Sequence, residues 1–496
     1  MSNADVPVKQ RALIFQGSVA LGAFEAGVFK KLYDMIKQKD KNWKKGMFDI
    51  VAGTSAGAIN AAILTSHVKQ KKTWEGSAEK IVQYWREHLS SPTPTITKQG
   101  VYWWDENYQW WGKYYDTVTS GNSDNRTVAS EEAARRYFST KYFFTNGVPN
   151  VFSPSLPFPE FDSKFFDNNP LFPPTNLWLR YNNKPLRESL IHVDGNGDEF
   201  VKFPLTTSFE NGEPRFLAVS VDVQHGKAVT FDSYSRSSTF EAYDPQTSDY
   251  KEHTVNYDKG IMPEHVMASA SFPVYFDYEL VDGRNFWDGG ILSNTPLREV
   301  LQAHRDYWYK GEYEQKKEMK VPDLDVYIVN VWPSMEDTVP TDHDGVIERK
   351  NDITHSDQTE YDQKVALIIG DYIDLFNETK ELAIKHISDP NKRTDFLSSI
   401  ERLLNGNTKY NHKNKSIAKK PRSKKRSGQG RTYGDLIYGR FKLNKVVTIE
   451  HKDDPDSISN KWADYTEETI DKQITDGQEF DKKAIVRVTP AAEELI

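Results

Sequence analysis

Cysteine is absent from all 496 residues. That excludes a disulfide framework and any thiolate metal site, and it leaves the redox compartment open. Long apolar runs are missing as well. No stretch approaches the roughly 18–20 apolar residues of a spanning helix. The first ten residues are polar and hold no apolar h-region, so no signal peptide is expected. Basic excess is lacking, and a net charge of −8 argues against a dedicated nucleic-acid binder. The 12 histidines form no H-E-x-x-H or similar pair, so no metal and no cofactor is expected. No internal repeat is present. Aromatic residues, by contrast, reach 13% and apolar residues 37%, enough for a sizeable core and incompatible with wholesale disorder. A mean hydropathy of −0.70 fits a cytoplasmic protein that touches membranes peripherally if at all.

The chain alternates strand and helix patterns from its start. Residues 11–15 read as a short buried strand, followed by a glycine-bearing turn at 16–22. Leu21, Phe24, Val28, Leu32 and Ile36 then fall at helical spacing and give one apolar face. Residues 47–52 read as a second strand, 53–57 as a turn and 56–68 as a helix. This order predicts an α/β fold with a parallel sheet. Residues 90–215 are rich in Pro, Asn and aromatics and read as an irregular insertion. Strands are expected again at 216–223, 227–232 and 326–332, and a short helix at 264–271. Beyond 335 the pattern becomes helical, at 361–386 and 462–474, around a basic stretch at 409–431. The expected division is a catalytic domain over 8–335 and a mostly helical extension over 336–496.

Gly53, Thr54, Ser55, Ala56 and Gly57 fit G-x-S-x-G. A nucleophile at a tight strand-to-helix turn is pushed out above the sheet, and its crowded neighbours must be small. The pentapeptide alone is a weak signal. Its position after an apolar strand and before a small-residue helix is the context the chemistry requires. The earlier turn at 16–22 leaves backbone N–H groups unpaired, which suits an oxyanion. It lacks the Lys-Ser/Thr of a P-loop and the pattern G-x-G-x-x-G.

Three segments together resemble the patatin-like phospholipase family in its bacterial variety. These are 13–28 (LIFQGSVALGAFEAGV), 50–58 (IVAGTSAGA) and 268–297, which carries Asp288, Gly289 and Gly290. Residues 216–232 and 326–333 resemble it more weakly, so the likeness spans about 11–335 and is loose over the insertion. The resemblance implies a three-layer α/β/α core with a mostly parallel sheet. It also implies a catalytic Ser–Asp dyad in which Ser55 attacks a lipid ester and Asp288 serves as base. The backbone of Gly17, Ser18 and Val19 would form the oxyanion hole. Gly22, Gly53, Gly57, Gly289 and Gly290 would support these turns. Apolar neighbours Phe286 and Trp287 should raise the Asp288 pKa. The implied substrates are phospholipid or lysophospholipid acyl chains, through an acyl-enzyme.

One departure stands out. Relatives carry glycines where this chain has Ser18 and Val19, and a β-branched residue at positive φ is strained. A weakened or inactive lipid-binding relative therefore remains an alternative. So does a Ser–His–Asp esterase, since His304, His343, His355, His386, His412 and His451 all follow Asp288. Trp104, Tyr108, Trp111 and Tyr115 at helical spacing read as a core-packing face or as an interfacial lid. The run 409–431 reads as a solvated loop or as a contact to anionic membrane.

Overall fold

The computed structural model describes residues 6–102, 130–155, 180–195, 197–234, 243–244, 249–250, 254–256, 260–311, 321–336, 339–340, 342–406, 432–452, 454, 456–489 and 495–496. The aromatic run 103–115 and the basic stretch 409–431 lie outside the described residues.

Ten strands form one sheet. In chain order they are β1 (Lys9–Phe15), β2 (Ile50–Thr54), β3 (Arg215–Asp222), β4 (Lys227–Asp232), β5 (Thr254–Asn256), β6 (Glu279–Val281), β7 (Arg284–Asp288), β8 (Asp323–Asn330), β9 (Leu443–His451) and β10 (Ala484–Thr489). Their spatial order is β6-β7-β3-β2-β1-β8-β9-β10, with β4 and then β5 branching from β3. β1, β2 and β3 run parallel. β2 and β3 are buried at every position, which explains why they read as unbroken apolar runs. Strands of that kind need cover on both faces, as in the three-layer α/β/α class. Antiparallel pairs β6–β7, β7–β3 and β9–β10 extend the parallel centre.

The helices that matter for the site and its frame are α1 (Gly22–Lys39), α2 (Ala56–Lys71), α3 (Glu131–Asn146), α4 (Pro263–Ala270), α5 (His343–His355), α6 (Glu360–His386), α7 (Pro390–Leu404) and α8 (Glu467–Gln478); a further helix covers Leu297–Asp306. α2 is buried from Ala56 through Val68, so apolar and small residues occur on every side where it crosses the core. α3 lies inside the insertion expected to be irregular. Ser130 caps it by accepting from the Ala133 N–H at 3.0 Å, and Arg136 pairs with Asp454 at 2.9 Å. The Pro- and Asn-rich flanks had masked this helix.

The described chain falls into two units. One comprises Arg11–Val300, Val326–Gln358 and Lys445–Ile496, and the other Met1–Gln10, Leu301–Asp325 and Thr359–Asn444. A single division near 335 therefore does not describe the chain. The helical C-terminal region is present in α5 to α8, but its last fifty or so residues return to the first unit. α8 packs on α1 at a glycine pair: a Cβ on Gly27 would stand 2.1 Å from the Ile474 carbonyl oxygen, and one on Gly477 2.3 Å from that of Phe24. The second unit holds α6 and α7, and there Arg440 and Lys442 both pair with Asp374. No helix among the described residues is long and apolar enough to cross a membrane.

The glycine pair gives a test with a decisive sign. Gly27→Ala gains about 1 kcal/mol of helix propensity but meets backbone atoms, and overpacking of this kind costs about 1–3 kcal/mol. The urea midpoint should fall. A midpoint that rises, as propensity alone dictates, would rule out the α1–α8 contact.

Candidate active site

β3 has two edges. β4 pairs with it from Leu217 to Asp222 and fills one edge. On the other, β2 pairs as far as Thr54 opposite Val219, and β7 continues with Asp288 opposite Ser220. Two strands thus share one edge end to end. Ser55 follows the end of β2 where Asp288 ends β7.

Ser55 opens α2 with φ 55° and ψ −125°, a conformation that costs a non-glycine residue about 1–3 kcal/mol. The surroundings hold it there. Its N–H donates to Ser269 Oγ at 3.0 Å, and that hydroxyl donates to the Val219 carbonyl at 2.5 Å. Thr54 Oγ1 donates to the Ser293 carbonyl at 2.9 Å. Both glycines of the pentapeptide are sterically required. A Cβ on Gly53 would lie 2.2 Å from the Gly57 carbonyl, and one on Gly57 would lie 2.6 Å from the carbonyl oxygens of Phe15 and Gln16.

Asp288 is 1% exposed. Oδ1 accepts from the Gly290 N–H at 2.7 Å, while Oδ2 is buried with no hydrogen-bond partner among the described residues. Burial pushes its pKa up to about 7, and the nearby Ser55 hydroxyl and the Gly290 N–H hold it from rising further. The Ser55 hydroxyl is thus close enough to act on the carboxyl without a completed bond to Oδ2. Gly289 cannot carry a side chain, since its Cβ would meet the Val219 carbonyl oxygen at 2.3 Å.

The turn at 16–18 is clamped from several sides. Gln16 Oε1 accepts from the Val331 N–H at 2.8 Å, and its Nε2 donates to Thr295 Oγ1 at 3.0 Å. Trp332 Nε1 donates to the Gly17 carbonyl at 2.7 Å. The Gly17 N–H itself donates to the Asn294 carbonyl at 2.9 Å, so it is not an open oxyanion donor, contrary to expectation. The N–H groups of Ser18 and Val19 have no acceptor among the described residues. Val19 takes φ 50°, a conformation that strains its β-branched side chain. Its N–H remains open all the same. Gly22 would strike Trp85 with any Cβ, at 2.7 Å. Ser269, Asn294 and Trp332 are site residues that motif reading passes over, because their roles depend on contacts between distant segments.

Two cavities meet at Ser55. A cleft of about 790 Å³, counted to its open mouth, is lined by Ser18, Val19, Ser55 and Asp288 and by Lys350, Asn351 and His355 of α5. An apolar chamber of about 690 Å³, likewise counted to its open mouth, is lined by Ile59, Trp85, Leu89, Phe152, Tyr181 and Leu186 together with Ser55. Lys350 forms no ion pair among the described residues, whereas α5's Glu348 and Asp352 are committed to Lys461. Of the downstream histidines only His355 is among the cleft's lining residues, and His412 lies outside the described residues. His355 rests against Trp332 and Phe272, and burial followed by the Lys350 charge lowers its pKa. No group of residues able to hold a metal ion occurs among those described.

The Asp288 pKa makes a stability prediction. Its folded value lies above the unfolded one, so ionisation is opposed by folding, and stability is lost as pH rises from about 4 through 7. Asp288→Asn should therefore stabilise the protein at pH 8, by up to about 4 kcal/mol, with the difference vanishing near pH 4. Thermal melts of both proteins across that range check it, and a pH-independent difference would contradict it.

Comparison with curated proteins gives no match. Among solved structures the chain is similar to VipD from Legionella pneumophila at 10% identity, over 97% of this chain and 68% of that one, with a TM-score of 0.29. A likeness so loose carries no argument. The patatin-like phospholipase family model, however, matches residues 13–301, which is more than half of the chain and includes the turns at 16–22 and 53–57 and the strand ending in Asp288. The chain belongs to the patatin-like phospholipase family.

Proposed function

We propose that the protein is a lipid acyl hydrolase working through a Ser55–Asp288 dyad. The observation that carries this reading is the buried, unpartnered Oδ2 of Asp288 beside Ser55, on a carboxyl whose pKa is about 7. A base of that strength can both take and return a proton near neutrality. Ser55 Oγ attacks the acyl carbonyl and its proton passes to Oδ2, while Gly290 keeps Oδ1 in place. The N–H groups of Ser18 and Val19 receive the developing oxyanion. Collapse breaks the ester bond, and the alcohol leaves with the proton from Asp288. Water then gives a proton to Asp288, attacks the acyl-serine and releases the fatty acid. That proton returns to Ser55.

The apolar chamber suits the acyl chain. The wider cleft suits the alcohol portion, and Lys350 favours an anionic one, as in a phospholipid or lysophospholipid. A cytoplasmic location with peripheral membrane contact belongs to the same proposal. His355 supports a second reading, a Ser–His–Asp esterase, because it lines the same cleft. It has no carboxylate partner among the described interactions, which favours the dyad.

Ester kinetics test the proposal. Ser55→Ala and Asp288→Asn should each abolish turnover to within about 1% of wild type, and His355→Ala should retain most of it. Lys350→Ala should lower kcat/KM for a phosphate-bearing ester about tenfold more than for a neutral one, the scale of one charge-assisted hydrogen bond. Turnover that survives Asp288→Asn and is lost with His355→Ala would replace the dyad by the second reading. A folded wild type without turnover would favour the lipid-binding alternative.

A further inference from the structure

Beneath the oxyanion turn lies a carboxyl group that the mechanism above leaves unused. Glu25, on α1, is 0% exposed and forms no ion pair among the described residues. Asn60, on α2, fixes which of its oxygens does what. Trp85 Nε1 can only donate, and it donates to Asn60 Oδ1 at 2.8 Å. The Asn60 amide nitrogen must then face the other way, where it donates to the Gly22 carbonyl at 3.1 Å and to Glu25 Oε2 at 2.8 Å. Oε2 is therefore an acceptor. A proton on Glu25 belongs on Oε1, which is buried and has no partner.

A second buried orphan sits at the same place. Ser18 Oγ has no partner, and it lies 3.0 Å from where a Gly22 Cβ would stand, one helical turn from Glu25. Gln16, Ser18 and Asn60 are the polar groups acting on the Glu25 carboxyl, and none of them is charged. An isolated buried carboxylate is costly, so burial holds Glu25 well above the usual carboxylate range, against the smaller opposing pull of those three groups. A neutral carboxyl with Oε1–H directed at Ser18 Oγ satisfies both orphans with one hydrogen bond.

We propose that neutral Glu25 is a positioning residue for the oxyanion hole, donating from Oε1 to Ser18 Oγ and so fixing the Ser18 and Val19 N–H groups from below. Ionisation reverses that bond, since a carboxylate oxygen can only accept from the Ser18 hydroxyl. It also places a negative charge under the site where negative charge develops in the transition state. The dyad needs Asp288 ionised and the developing oxyanion needs Glu25 neutral, so turnover is confined to the pH range in which both hold. The inference rests on the hydrolase reading for its catalytic consequence. Its structural part, support of the turn, does not depend on turnover.

Two substitutions separate the donor from the charge and from simple filling of space. Glu25→Gln keeps a donor toward Ser18 and an acceptor toward Asn60 but cannot ionise. Glu25→Leu keeps most of the volume and has neither. In hydrogen-exchange mass spectrometry of the full chain, the 16–22 segment should exchange about tenfold faster in Glu25→Leu and as in wild type in Glu25→Gln. In ester hydrolysis, Glu25→Leu should lose about 100-fold in kcat with KM little changed, the scale of one oxyanion donor. Glu25→Gln should stay within about threefold of wild type and lose the decline in rate at alkaline pH. Unchanged exchange in a folded Glu25→Leu protein would overturn the inference, and so would an alkaline decline that persists in Glu25→Gln. If wild type shows no turnover, the hydrolase reading fails, and the exchange comparison still decides whether Glu25 holds the turn.

Discussion

The shared edge of β3 is the constraint on which the rest depends. β2 uses it as far as Val219 and β7 begins at Ser220, so the end of one strand abuts the end of another. Neither residue of the candidate dyad needs a long or flexible approach. Each sits within one residue of a hydrogen-bonded register, on the part of the sheet that is buried throughout. The register fixes their separation more firmly than loops could. Ser269 ties Ser55 to β3 at this junction, since one hydroxyl holds both the Ser55 N–H and the Val219 carbonyl.

Around that junction backbone strain and buried carboxyl groups occur together. Ser55 and Val19 both take positive φ, and two carboxyl groups, Asp288 and Glu25, are buried without cations. Strain and desolvation each oppose folding by a few kcal/mol, so both must be offset by packing. The offset is visible in Gly53, Gly57 and Gly289, where backbone lies against backbone with no space for a Cβ. The carboxyls differ in what faces them. Asp288 has an open oxygen beside a hydroxyl at the cleft, whereas Glu25 is enclosed beneath the turn with Asn60, Gln16 and Ser18. Similar burial can thus yield a proton acceptor in one case and a neutral support in the other.

Much of this was legible in the sequence, for local reasons. Strands β2 and β3 announce themselves as unbroken apolar runs because both faces are covered, and the tight turns at Ser55 and Asp288 demand glycines at fixed offsets. Long-range matters were not legible. The Gly17 N–H could be recognised as lost only once Asn294 was placed against it. Strand β9 is a short apolar core, Val446 to Ile449, inside a polar stretch, and nothing local shows that it extends the sheet. Gly27 and Gly477 are separated by most of the chain, so their contact, and with it the return of the C-terminal residues to the first unit, is a tertiary fact. The helix α3 was hidden by the composition of its flanks.

The central claim is that Ser55 becomes acylated with Asp288 as its base. Acid-quenched reaction with a lipid ester, followed by peptide mass spectrometry, tests it most directly. The account predicts an acyl group on the peptide containing Ser55 in wild type, formed with a rate that rises through pH 7 as Asp288 ionises, and greatly slowed in Asp288→Asn. An acyl group on another residue, or one formed at Ser55 equally fast without Asp288, would contradict it.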